Sequence, residues 1–176
     1  MKVLVTFWTQ TGNTRKIAEA IFDSLLCKKE IKAFDEVDTL DGFDLTFIGF
    51  PVMQFGPPYA AKKFIAAHAP GKTIALFLTH ATPSNSDDQA QQELLIKELD
   101  NCRSVCSDTN LMDIYHCMGE LSQKIANELL ASGIPMLMKF AEMRRLTIGH
   151  PNSDELEQAR KFAVRLITAD GVNSPN

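Results

Sequence analysis

The chain has 176 residues, 45% of them hydrophobic, and carries a formal net charge of −4 with a pI near 5.5. Those figures suit one domain with a substantial core, expected over residues 1–170 and followed by a disordered tail from Gly171 to Asn176. They exclude a basic nucleic-acid stripe, no apolar run reaches the length of a membrane span, and no early segment has a leader's basic start and apolar run, so the expected location is the cytoplasm.

Val3–Trp8 predicts a strand, and Thr14–Leu26 a helix with Ile17, Ile21 and Leu25 on one face. Between them lies Thr9-Gln10-Thr11-Gly12-Asn13-Thr14, a strand-to-helix junction rich in hydroxyls and amides. Unpaired N–H groups and the positive end of the helix dipole make such a junction a cradle for an anion, and Gly12 supplies the turn. The same residue types also serve as a plain helix N-cap. No lysine follows Gly12, so a P-loop is excluded. A dinucleotide fingerprint needs three spaced glycines and is excluded too. No Asp or Glu precedes Glu19, which removes the metal-holding acids of a receiver domain. One phosphate, cradled by neutral groups, is the remaining fit.

Lys32–Val37 predicts a short strand, and Asp44–Phe50 a stronger one that runs into Pro51. Pro57-Pro58 opens a helix ending at Ala69, before Pro70-Gly71. Thr73–Thr79 reads as a central parallel strand. A polar loop, His80–Ser86, leads to a helix opened by Asp87-Asp88. Asn110–Met118 gives a fifth strand, Leu121–Leu130 a helix, Gly133-Ile134-Pro135 a break and Met136–Leu146 an amphipathic segment. Asn152 and Glu155 form a capping box for a last helix, Ser153–Thr168. Strands alternating with helices imply an α/β three-layer sandwich around a five-stranded parallel sheet. The order 2-1-3-4-5 opens a ligand crevice between the first and third strands.

Cys27, Cys102, Cys106 and Cys117 lack Cys-x-x-Cys spacing and are expected as reduced thiols. Cys102 and Cys106, four apart, fit either a redox pair or apolar filling. His68, His80, His116 and His150 show no ligand spacing, so no metal is expected. Lys28-Lys29 and Arg144-Arg145 read as solvated helix faces.

Phe7-Trp8-Thr9-Gln10-Thr11-Gly12-Asn13-Thr14 resembles the phosphate loop of the flavodoxin family, Thr/Ser-x-Thr-Gly-x-Thr after a strand ending in aromatics. The strand layout extends that resemblance over residues 1–118. The resemblance implies a noncovalent FMN with its phosphate on Thr9, Gln10, Thr11, Gly12, Asn13 and Thr14. Its ring would lie between Pro51-Val52-Met53-Gln54-Phe55-Gly56 and Thr79-His80-Ala81-Thr82. Met53, Phe55 and Tyr59 can cover a flat ring, and Phe55 and Tyr59 equally suit packing at a helix start. His80 can stack or cap. Two departures stand out. Gln54 occupies the turning peptide where the family places glycine, which implies a weakly stabilised one-electron-reduced flavin. The loop after the fourth strand also lacks the family's stacking tyrosine.

Two redox functions follow from the resemblance. One is electron transfer between redox partners, which a mildly acidic surface helps to steer. The other is an FMN-dependent reductase or dehydrogenase of a quinone, tetrapyrrole or other small aromatic substrate. In that reading the apolar 134–148 stretch forms a substrate or partner surface rather than ordinary packing. A binding module without redox chemistry is the third class the fold admits. Asp87 and Asp88 are expected near the site's mouth, where like charge disfavours a reduced, anionic flavin. No nucleophile–base pair is apparent.

Overall fold

The structure, a computed structural model, describes residues 1–83 and 88–172, the last four of these by backbone alone. The strands are β1 Lys2–Phe7, β2 Lys28–Ala33, β3 Leu45–Pro51, β4 Thr73–His80 and β5 Asn110–Met118. All pair in parallel, in the order β2-β1-β3-β4-β5. The helices are α1 Asn13–Ser24, α2 Tyr59–His68, α3 Gln89–Ser104, α4 Gln123–Ala131, α5 Pro135–Glu142 and α6 Ser153–Val172.

The central strands are apolar on both faces because helices cover both. On one face Val3, Val5, Phe47 and Phe77 pack against Ile17 and Ile21 of α1 and Ala159 and Phe162 of α6. On the other, Leu4, Ile48, Phe50 and Leu76 meet Phe64 and Ile65 of α2 and Cys102 of α3. Gly49 is required on β3, because a Cβ there would overlap the Phe77 ring. All four cysteines are free, and burial pushes the Cys102 thiol up to about 12 and Cys106 to about 11. Both sit in the second core as apolar filling.

β2 begins four residues before the predicted strand. It is an edge strand built from Lys-Lys-Glu-Ile-Lys-Ala, with Glu30 held at 2.8 Å by both Lys2 and Lys32. Charge is what keeps such an edge from pairing with other chains. Phe34 and Val37, which drew the prediction later, bury themselves at and just after a 3-10 turn instead. Lys28-Lys29 is therefore no solvated helix face: Lys29 donates to the carbonyls of Phe22 and Leu25 at 2.6 and 2.8 Å, closing the end of α1.

The capping box of α6 forms as expected. Asn152 Oδ1 accepts from Glu155 N at 3.0 Å and Glu155 Oε2 from Asn152 N at 2.7 Å. The helix continues past Thr168 to Val172; the remaining tail residues, 173–176, lie outside the described residues, as do Ser84, Asn85, Ser86 and Asp87. α4 and α5 form a hairpin after β5 with its own small core of Leu121, Ala126 and Ala141, capped by Phe140 and by Ala81 from the loop after β4. Among the described residues no helix is long and apolar enough to cross a membrane.

Candidate cofactor site

Four loops meet at the carboxyl edge of the sheet, and β4 is their common anchor. Thr14, the second residue of α1, is fully buried and its hydroxyl lies 2.9 Å from that of Thr79. Val52 N donates to Thr79 O at 2.8 Å, and Gly119 N donates to His80 O at 2.8 Å. The loops after β1, β3 and β5 are thus each bonded to the last two residues of β4.

The junction after β1 has the form of an anion nest. Gly12 turns with φ 93°, among the described residues no side chain caps the first turn of α1, and Thr9 Oγ1 accepts from Gly12 N at 3.0 Å. Gln10 and Thr11 are exposed at its tip. Asn13 and Thr14 are braced inward: Asn13 Nδ2 donates to Glu120 O at 2.9 Å, and Thr14 meets Thr79. What they turn toward the nest is backbone N–H. A helix start behind a left-handed glycine, with the hydroxyls of Thr9 and Thr11 in the loop before it, fits one phosphate.

After β3 the chain makes a tight reversal. Met53 N donates to Gly56 O at 2.8 Å and Gly56 N to Met53 O at 3.1 Å, while Gln54 and Phe55 both take positive φ, 50° and 65°. Two consecutive positive φ values define a type I′ turn, which favours Asn and Gly. Here two bulkier residues hold it. Asn101 of α3 fixes the turn from behind, its Nδ2 donating to Phe55 O at 2.7 Å. Trp8, Met53, Gln54, Pro57, Pro58 and Tyr59 line a cleft of about 430 Å³ beside it. Tyr59 is 80% exposed, so it is not buried helix-start packing.

After β4 the side chains turn inward. Thr79, His80 and Thr82 are buried and Ala81 is half-buried. His80 Nδ1 lies 2.8 Å from Thr82 O, to which it donates, and His80 Nε2 meets His116 Nδ1 at 3.1 Å. His80 thus caps its own loop within the described structure. Burial first, and His116 second, push its pKa down to about 3, so the ring is neutral. Thr82 Oγ1 donates to Glu98 Oε2 of α3 at 2.9 Å; burial pushes that carboxyl up to about 7 against the lowering effect of the hydroxyl.

Sequence reasoning missed Asn101, Glu98, His116 and the Glu120–Arg144 pair. Arg144 is no solvated face: its Nη2 donates to Glu120 Oε1 at 2.8 Å, joining the end of the α4–α5 hairpin to the residue that receives Asn13. Only the i, i+4 spacing of Glu98 and Cys102 on an otherwise buried helix face carried a trace of any of these. Among the described residues no group of His, Cys, Asp and Glu could hold a metal ion.

The flavodoxin domain model matches residues 4–164. The chain is 27% identical over 180 residues to the flavodoxin-like domain-containing protein BilS of Clostridioides difficile (strain CD3), covering 95% of this chain and 97% of that one. The fold is similar to oxidised flavodoxin 2 of Bacillus cereus, with a TM-score of 0.55 at 14% identity over 96% of this chain and 99% of that chain. It is also similar to general stress protein 14 of Treponema denticola, solved in complex with FMN, with a TM-score of 0.50 at 11% identity over 94% and 99%. The chain belongs to the flavodoxin domain family.

Proposed function

We propose that this protein holds FMN at the carboxyl edge of its sheet and passes electrons between redox partners. The observation that supports this reading is the start of α1 behind Gly12, which among the described residues carries no side-chain cap and follows the same strand end, Trp8, that lines a cleft with Met53 and Gln54. FMN, when bound, supplies one- and two-electron chemistry, and the protein contributes position and environment. Thr9, Gln10 and Thr11 offer side chains to the phosphate, and residues 12–14 offer N–H groups. Asn13 and Thr14 keep that nest in register with Glu120 and Thr79. Pro51, Val52, Met53, Gln54, Phe55 and Gly56 form one wall for the ring, and Thr79, His80, Ala81 and Thr82 the other, through their backbone.

The test is selective loss of the phosphate contact. Thr11→Val is expected to weaken FMN about tenfold, the loss of one charge-assisted hydrogen bond, while riboflavin binding changes little. Equal losses for both ligands would contradict the phosphate assignment.

A second reading is supported by the α4–α5 hairpin. Leu130, Ile134 and Met136 are exposed on it, and Leu146 and Ile148 just after it, as apolar side chains available to a hydrophobic substrate. In this reading the protein is an FMN-dependent reductase or dehydrogenase of a quinone, tetrapyrrole or other small aromatic substrate. Rapid reoxidation of the reduced protein by a small quinone alone favours this reading. Reoxidation that requires a protein partner favours the carrier.

A further inference from the structure

Residues 79–82 touch every part of the site: Thr79 bonds the phosphate nest through Thr14 and the ring wall through Val52, and His80 bonds the loop after β5 through Gly119. One buried acid braces this segment. Glu98 is 4% exposed on α3, accepts from the Thr82 hydroxyl at 2.9 Å, and forms no ion pair among the described residues. Thr82 is itself fully buried, and its carbonyl receives His80, which in turn meets His116. α3, β4 and β5 therefore each contribute one titratable side chain to the network around residues 79–82.

We propose that Glu98 is a proton-coupled positioning residue of the FMN site, acting through Thr82 and taking up a proton from solvent when an anionic ligand binds against residues 79–82. The inference rests on the FMN reading above. A bound flavin phosphate brings negative charge, and a bound ring covers loop surface; both disfavour a carboxylate behind the loop. Burial already brings Glu98 up to about 7, so near neutral pH its proton count responds to a small change in surroundings.

The neighbouring groups are shifted differently. Cys102, one turn along α3, is pushed by burial up to about 12, and Cys106 to about 11, so both stay protonated. Burial keeps His80 neutral and holds His116 below its ordinary range. Lys62 of α2 acts on Cys102 with its positive charge. Glu98 is the carboxyl among them that burial raises toward neutral pH.

Titration calorimetry with FMN in two buffers of different ionisation enthalpy counts the protons exchanged on binding. At pH 7.5 the wild type is expected to take up a few tenths of a proton more than Glu98→Gln, since the phosphate's own protons are common to both. Between pH 6 and pH 9 the wild-type Kd should rise relative to that of Glu98→Gln by about tenfold for each unit by which binding raises the carboxyl's pKa. Thr82→Val, which removes the hydroxyl and keeps the acid, should move the uptake to higher pH, and it reads the same property should Glu98→Gln not fold. Equal proton counts in wild type and Glu98→Gln, or an unmoved profile in Thr82→Val, overturn the proposal and leave FMN binding standing. No heat with the wild type overturns both.

Discussion

Gln54 and Phe55 carry side chains where the backbone favours glycine, with φ of 50° and 65°. Left-handed backbone at a residue with a Cβ costs on the order of 1 kcal/mol, and the hydrogen bond from Asn101 helps to hold it. Gln54→Gly should therefore raise stability by up to about 1 kcal/mol in urea unfolding. The same strain predicts that reductive titration of the FMN-loaded wild type passes to full reduction with little radical absorbance, and a long-lived blue species would contradict it. Glu98 gives a pH signature of opposite origin. Its pKa stands at about 7 in the fold against an ordinary 4.5, so its contribution to stability is full below pH 4.5 and is lost as pH rises through 7. Glu98→Gln lacks that slope. Between pH 4.5 and 7.5 the stability difference should move in its favour by roughly 3 kcal/mol, measured by urea midpoints. The Gln54 departure was legible in the sequence because a motif fixed its place in the turn. Glu98 was not, because an acid on a helix reads as solvent-facing until tertiary packing buries it.

The elements differ in how clearly their residues announce them. β5 runs over Asn110–Met118, the predicted bounds, and β3 and β4 fall within one residue of expectation because continuous apolar runs have few other uses. β2 was displaced because an edge strand of lysines and glutamate has no apolar period, and its partner Lys2–Phe7 defines it only through space. The α4–α5 hairpin was legible as helical, but its attachment was not. Glu120 joins it to Asn13 and Arg144, contacts 107 and 24 residues apart in sequence. Its own core has three buried residues, so it should open at lower free energy than the sheet. Hydrogen exchange is expected to reach residues 123–142 well before β1, β3 and β4. Uniform protection would contradict an independently packed hairpin.

Taken as one molecule, the chain places its strand ends, the uncapped start of α1 and the 430 Å³ cleft at the same edge of the sheet. Everything functional depends on one ligand reaching that edge. Titrating the apo protein with FMN, following quenching of flavin fluorescence, tests this most directly. The expected result is saturable 1:1 binding, with riboflavin weaker by the value of the phosphate contacts. FMN fluorescence that stays unquenched at excess protein would contradict the account.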